Sequence, residues 1–345
     1  MKHKVIGQGT YGCIHEESLL CNTASLNKPK LVSKVMLKYY GKQEISVNRY
    51  IDKIDKKCDY HLGKSTKCAI KNIKSNKEAI NLCESSDYID DKVITNNIIL
   101  LMKNGGINLD TFATQLRSLT PSAKNVLVMQ QFWIEAQRLL LGIQLFQSKD
   151  FIHHDIKPQN IVIDVKNMRL NYIDFGLSDS LKDLTRKCRL SNNGKSSEWW
   201  SYPPEYKYSN KDDFFGRKKE IVKDALNSEH VKSFLPYIVN NKDRYKHDLE
   251  WLVNYGYKDY DTYLSKCLKT FDLYCLGFSL LLVLDSGRHL INSNMWKDLN
   301  DTLYKTITPN YNDRMEINEV IIEYKKILDK HGNKNKNKNK NKNKI

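Results

Sequence analysis

Over the first hundred residues, apolar and polar positions alternate in short bursts. "HKVIG", "LVSKVML" and "ITNNIILLMK" each read as a strand bounded by turn and loop residues, with one helical stretch near 42–55. After "KNGG" (103–106) the period changes. Between 122 and 149, Val128, Phe132, Ala136, Leu139, Leu140, Ile143 and Phe146 recur at helical spacing and predict one long, largely buried helix. "IVIDV" and "RLNYID" then predict a hairpin, and a further apolar helix is predicted from about Asp272. The expected fold class is α+β: a small β-rich lobe over about 1–104, a glycine-containing connection, and a larger, mainly helical lobe over about 105–330.

Composition changes this picture little. With 345 residues, 40% of them hydrophobic, the chain can bury a substantial core. Its net charge of +16 invites a nucleic-acid reading, but six of the lysines lie in the low-complexity tail "NKNKNKNKNKNK" (333–344), and charge alone is a poor argument for that partner. We expect the tail, 331–345, to be disordered. The eight cysteines show no CxxC and no regular spacing, and no signal peptide precedes them. They therefore read as reduced thiols in an intracellular, reducing compartment. A zinc site from Cys58, Cys68, Cys83 and His61 is conceivable, although its spacings are irregular. The longest apolar run, "LGFSLLLVL" (276–284), is too short to cross a bilayer, so no membrane partner is expected.

Three stretches carry chemistry. "IGQGTYGCI" (Ile6, Gly7, Gln8, Gly9, Thr10, Tyr11, Gly12, Cys13, Ile14) places three glycines where a backbone can approach a phosphate chain closely. No helix pattern follows Gly12, which argues against a dinucleotide-binding βαβ unit. Lys34, in "LVSKVM", shares a strand face with Val32 and Met36 and needs an anion there; Glu44 is the only glutamate in the following helical stretch. "HHDIKPQN" (153–160) sets a carboxylate, an ammonium and a carboxamide on one loop between apolar segments, and "DFG" begins nineteen residues after Asp155. Asn160 and Asp174 offer the hard oxygens Mg2+ prefers. Asp155 can orient a substrate hydroxyl and accept its proton, while Lys157 offsets charge on a transferring phosphoryl group.

Taken in order, these stretches resemble the protein kinase superfamily, serine/threonine type. "GQGTYG" is similar to its glycine-rich loop, Lys34 to its phosphate-anchoring lysine and Glu44 to that lysine's helix partner. "HHDIKPQN" resembles the catalytic loop, "DFG" the metal-binding motif and "YPPE" (202–205) the end of the activation segment. Asp272 in "DLYCLG" resembles the aspartate that braces the catalytic loop, and Arg314 the arginine that pairs with Glu205. The resemblance implies a two-lobed kinase domain over 1–330, with ATP and Mg2+ as cofactors and protein serine or threonine hydroxyls as substrate. The implied catalytic residues are Asp155 and Lys157; Asn160 and Asp174 would hold metal, and residues 6–14, Lys34 and Glu44 would hold nucleotide. The alternative is a pseudokinase scaffold that binds without transfer. "EWWSYPPE" and the composition resemble kinases of large cytoplasmic DNA viruses, which would place the chain in host cytoplasm or a virion.

Several features depart from the pattern. His154 stands where many members carry the arginine that grips an activation-segment phosphate, which predicts activity without phosphorylation there. Ten residues from Lys34 to Glu44 is a short interval for this pair, and Asn48 occupies the same helical face as Glu44. The 56–92 stretch has no assignable strands. Residues 206–271 read as a helical insertion, either a docking surface for a partner or packing decoration. Ser197 or Ser201 would supply the hydroxyl expected near the substrate loop.

Overall fold

The computed structural model describes residues 4–9, 12–28, 30–84, 94–190, 201–216, 240–255 and 259–342. Two compact units emerge: Met1–Gly106 together with Ile173–Gly176, and Ile107–Tyr172 together with Leu177–Ile345.

In the first unit, strands β1 (Val5–Gly9), β2 (Gly12–His15), β3 (Leu31–Leu37), β4 (Thr66–Cys68) and β5 (Asn97–Lys103) form one antiparallel sheet in the order β1-β2-β3-β5-β4. Alternation divides its two faces. Cys13, Val35, Ile99 and Leu101 join Leu19, Cys21, Ile70 and Ile80 in one apolar cluster, while Met36, Ile98 and Leu100 form another with Ile45 of helix α1 (Lys38–Ile54). Helix α1 begins directly after β3 and lies against β5 at Gly41, where a Cβ would fall 2.2 Å from Ile98 Cδ1.

The 56–92 stretch proves to hold β4 and a short helix, α2 (Lys74–Ile80); residues 85–93 lie outside the described residues. Here one expectation is corrected. Cys13 is bonded to Cys83 and Cys21 to Cys68, so of the eight cysteines Cys58, Cys188, Cys267 and Cys275 are the free ones. The partners are 70 and 47 residues apart in sequence, and only the sheet and α2 bring their Cα atoms within 6.0 and 5.9 Å. Cysteine usage is therefore no argument for a reducing compartment. The zinc set expected from Cys58, Cys68, Cys83 and His61 is also broken up. Cys68 belongs to a disulfide, and His61 sits between two carboxylates, Nδ1 at 2.7 Å from Asp55 and Nε2 at 3.0 Å from Asp52.

The second unit begins with β6 (Ile107–Asn108), helix α3 (Leu109–Arg117) and the predicted long helix, α4 (Ala123–Ser148). Ser122 caps α4 by accepting from Asn125 N. Strands β8 (Ile161–Asp164) and β9 (Arg169–Tyr172) form the predicted hairpin, with β6 on the free edge of β8. A two-residue strand β7 (Phe151–Ile152) pairs with β10 (Asp179–Ser180). Helices α5 (Leu181–Leu190), α6 (Lys211–Gly216), α7 (Lys242–Tyr255), α8 (Tyr260–Ser286), α9 (Ser293–Ile307) and α10 (Ile317–Lys342) follow.

Three differences from expectation stand out. Helix α8 starts at Tyr260, well before Asp272, because Asp259 caps it by accepting from Thr262 N; residues 260–271 thus belong to this core helix and not to an insertion. With 27 residues, α8 is long and apolar enough to cross a membrane by length and composition, which corrects the judgement based on its shorter apolar run; 94% of its apolar window is buried inside the protein. Helix α10 continues past 331 into the Lys/Asn tail. Extending a formed helix costs far less than nucleating one, so a sequence poor at starting a helix can prolong it. Of the expected insertion, 217–239 lies outside the described residues. Its described helix α7 buries Tyr245, Leu249 and Leu252, and Asp248 accepts from Tyr304 and Thr308.

Candidate active site

The expected site residues gather into two sets, one in each unit.

In the first unit, Lys34 projects from β3 on the face that carries Met36, toward α1. Its Nζ lies 2.8 Å from Glu44 Oε2 and 3.4 Å from Asp174 Oδ1. The ten-residue interval suffices because no loop separates β3 from α1. Burial by itself would lower the pKa of Lys34, but the carboxylates of Asp174 and Glu44 outweigh it and hold the ammonium charged. Asn48, one turn after Glu44, donates to Ser65 Oγ at 2.9 Å. Asp174 has φ +59°, a left-handed conformation uncommon outside glycine, and its side chain remains 43% exposed beside the buried pair.

The hairpin β1–β2 carries the glycines in the register Gly7↔Ile14, Gln8↔Cys13 and Gly9↔Gly12. Thr10 and Tyr11, at its tip, lie outside the described residues. The three glycines have different causes. A Cβ on Gly12 would come 2.6 Å from Val35 O, so sheet packing demands glycine there. A Cβ on Gly7 would make ordinary contact with Ile14, and one on Gly9 would meet nothing within 4 Å. Among the described residues, nothing forbids a side chain at Gly9. Ile6 is exposed, whereas the Cys13 side chain faces the core in its disulfide, leaving only backbone for a ligand on the other face.

In the second unit, the loop after β7 carries Asp155. Asn160 Nδ2 donates to its carboxylate at 2.7 Å and to its backbone oxygen at 2.9 Å, and Lys157 Nζ lies 3.0 and 3.1 Å from its two carboxylate oxygens. Both Asn160 bonds use its amide nitrogen, which leaves Oδ1 as the oxygen a hard cation would take. Behind the loop, Asp272 of α8 accepts from His153 N at 2.8 Å and His154 N at 3.0 Å. Burial raises the Asp272 pKa to about 7, against the opposing effect of those two N–H groups. The expected brace is therefore present.

His154, at φ +64°, is enclosed by aromatic rings: stacked on Tyr202, edge-on to Tyr206 and 4.7 Å from Phe271 between centroids. Its Nε2 is 3.0 Å from Tyr206 Oη, and Tyr202 Oη donates to its carbonyl at 2.8 Å. Burial pushes its pKa down to about 4, so the ring is neutral at physiological pH. Sequence reasoning registered the missing arginine but not Tyr202 and Tyr206; the readable signal was a tyrosine on each side of "PPE". Glu205 itself is bonded to Arg314, as expected, with both side chains 0% exposed. Ser201 is buried, and Ser197 lies outside the described residues together with the rest of 191–200.

Comparison with known proteins agrees with this geometry. The sequence profile described as the protein kinase domain matches residues 1–216, more than half of the chain. The chain belongs to the protein kinase family. It is similar to a probable casein kinase I homolog of Encephalitozoon cuniculi, 25% identical over 180 residues that cover 50% of this chain and 56% of that protein. It is 34% identical to serine/threonine-protein kinase STE11 of Saccharomyces cerevisiae over 67 residues, 19% of this chain and 9% of the yeast protein. Serine/threonine-protein kinase 1 of African swine fever virus is 44% identical over 46 residues, 13% of this chain and 15% of the viral one. The match thus spans about half of one relative's length and far less of the other two. Two of these three relatives are named serine/threonine-protein kinases, and the chain's β-rich and mainly helical units correspond to the two lobes of the protein kinase fold.

Proposed function

We propose that this kinase is catalytically active and transfers the γ-phosphoryl group of Mg-ATP to serine or threonine hydroxyls of a protein substrate. The observation that carries this reading is the charged Lys34 held between Glu44 and Asp174. Phosphate anchoring makes direct use of an ammonium that two carboxylates keep charged and fixed in place. Gly9 supports the same reading: glycine there is explained by something approaching the loop from outside.

In this scheme the glycine hairpin backbone and Lys34 hold the phosphates. Asp174 and Asn160 Oδ1 are the oxygens that would hold Mg2+, and the ion would neutralise charge on the phosphate oxygens. Asp155, fixed in rotamer by Asn160, orients the substrate hydroxyl. As that oxygen bonds to the γ-phosphorus, Asp155 receives its proton, and the bond from the γ-phosphorus to the β–γ bridging oxygen breaks, releasing ADP. Lys157 offsets negative charge on the group in transit.

The test compares wild type, Asp155→Ala and Lys34→Met with labelled ATP, Mg2+ and a mixed protein substrate. Phosphoserine or phosphothreonine should form with wild type and fall by at least a hundredfold in Asp155→Ala. Lys34→Met should keep the fold and lose turnover through misplaced phosphates. Nucleotide binding without transfer by folded wild type would instead establish the scaffold reading.

A further inference from the structure

One cluster of metal-ligating side chains lies outside the proposed phosphoryl-transfer site. Cys13 and His15 stand two residues apart on β2, so strand geometry sends both to the same face. That face is the buried one: Cys13 is 1% exposed and His15 0%. The turn after α2 brings Cys83 to them, fixed by Cys83 N donating to Ile80 O at 3.0 Å. His15 Nε2 lies 2.9 Å from Ala79 O and 3.8 Å from Cys83 Sγ. Ligand atoms of all three residues fall within 4.8 Å of one another.

A disulfide needs no imidazole beside it. The other disulfide of this unit, Cys21–Cys68, illustrates this: Asn27 bonds the backbone N and O of Cys21 and no histidine is hydrogen-bonded to its sulfurs among the described residues. At Cys13–Cys83 a fully buried histidine instead lies in contact with one of the sulfurs. Two thiolates and an imidazole are a borderline-soft donor set. A tetrahedral zinc ion, with arms of about 2.0–2.3 Å, requires roughly 3.5–3.8 Å between ligand atoms. The separation of His15 Nε2 from Cys83 Sγ already meets that requirement.

We propose that Cys13, His15 and Cys83 form a redox-gated site for a thiophilic divalent cation of the zinc class, closed as a disulfide when oxidised and ligating when reduced. A dithiol reductant converts the disulfide to two thiols and is itself oxidised to a disulfide. The cation then displaces one proton from each thiol and takes the imidazole nitrogen as third ligand, with water in the fourth position. His15 gives up its Ala79 carbonyl contact in the exchange. Either closed state ties β2 of the glycine hairpin to the turn after α2. Beside that tie Gln8 Oε1, in β1, accepts from Glu84 N at 2.7 Å.

The experiment uses the full chain, reduced and freed of metal, titrated anaerobically with Co2+ and then Zn2+. One equivalent of cobalt per chain should bind with intense thiolate-to-cobalt absorption, and zinc should displace it. Cys83→Ser should weaken binding at least tenfold and cut the absorption by about half. His15→Gln should weaken binding while keeping the sulfur signal. The double variant Cys21→Ser/Cys68→Ser should bind as wild type does. No thiolate-to-cobalt absorption with all eight thiols titratable overturns the proposal, leaving a plain disulfide beside a core histidine. So does a signal that survives in folded Cys83→Ser. Cys83 is half-buried on a turn, so that variant stays informative even if Cys13→Ser fails to fold. Because no nucleotide enters the titration, its outcome is independent of the phosphoryl-transfer reading.

Discussion

Removing the guanidinium of Arg314 should be among the most destabilising single changes in the second unit. Its Nη1 bonds Glu205 Oε1, its Nε donates to Thr308 O at 2.7 Å, and its Nη1 lies 3.4 Å from Thr270 Oγ1. The rings of Tyr311 and Tyr274 flank the guanidinium carbon at 4.9 and 5.2 Å. Burial alone would depress the pKa of Arg314, but Glu205 outweighs it and holds the charge in place. In Arg314→Met the stem is replaced by a side chain of similar reach, while Glu205 keeps a carboxylate that water does not reach. Breaking a buried pair in this way costs about 3–5 kcal/mol. At roughly 2–4 °C per kcal/mol for a unit of this size, the melting temperature should fall by about 6–20 °C. Pairing it with Glu205→Gln removes the stranded charge, so the double variant should recover a substantial part of the loss. Urea denaturation and calorimetry of the two single variants and the double variant provide the cycle. A loss below about 1 kcal/mol in Arg314→Met, or a double variant no better than the single, would refute the reasoning.

The two histidines beside the site residues should titrate on opposite sides of the free value. His61, with each ring nitrogen on a carboxylate, has its pKa raised: burial works against the charge, and Asp55 and Asp52 outweigh it. Its contribution to stability is therefore complete below about pH 6.5 and lost as pH rises through the folded value, a trend that His61→Gln should abolish. His154 is depressed to about 4, so its contribution is complete above about pH 6.5 and lost as pH falls toward 4. Imidazole proton resonances followed from about pH 3 to 9 should place the His61 midpoint above and the His154 midpoint below the free value; a His154 midpoint above 6.5 contradicts its enclosure. Activity should survive exhaustive phosphatase treatment, because Tyr202 and Tyr206 hold His154 by ring contacts and neutral hydrogen bonds. Loss of activity that returns on phosphorylation of Ser191, Ser196 or Ser197 would contradict this.

The features legible beforehand were those whose signal is local. Strand alternation placed Lys34 on the face of Met36, helical periodicity outlined α4 to within a residue at each end, and the spacing within "HHDIKPQN" put Asp155, Lys157 and Asn160 on one loop. The less legible features depend on pairing at a distance. The partners of Cys13 and Cys21 are set by where α2 and β4 fold back on the sheet. His61 reaches Asp52 and Asp55 only because α1 ends at a tight turn. The start of α8 was obscured because "YDTYLSKCLKTF" is polar enough to resemble an exposed helix, although Tyr260, Tyr263, Leu264 and Cys267 are all buried. The short interval and the polar Asn48 both set Glu44 apart from the usual pattern; in the structure α1 follows β3 without a loop, Glu44 pairs with Lys34, and Asn48 donates to Ser65.

Helix α8 also constrains how the chain is made. Its cover includes α9, which closes against Gly277 so tightly that a Cβ there would fall 1.9 Å from Thr306 Oγ1. During translation, α8 leaves the ribosome before residues 293–307 exist to shield that side. For this interval the nascent chain displays a greasy rod of about 40 Å with the make-up of a bilayer segment. Fragments that stop short of α9 will bind chaperones, clump or enter membranes, so a recombinant version of the larger unit has to extend at least through Ile307.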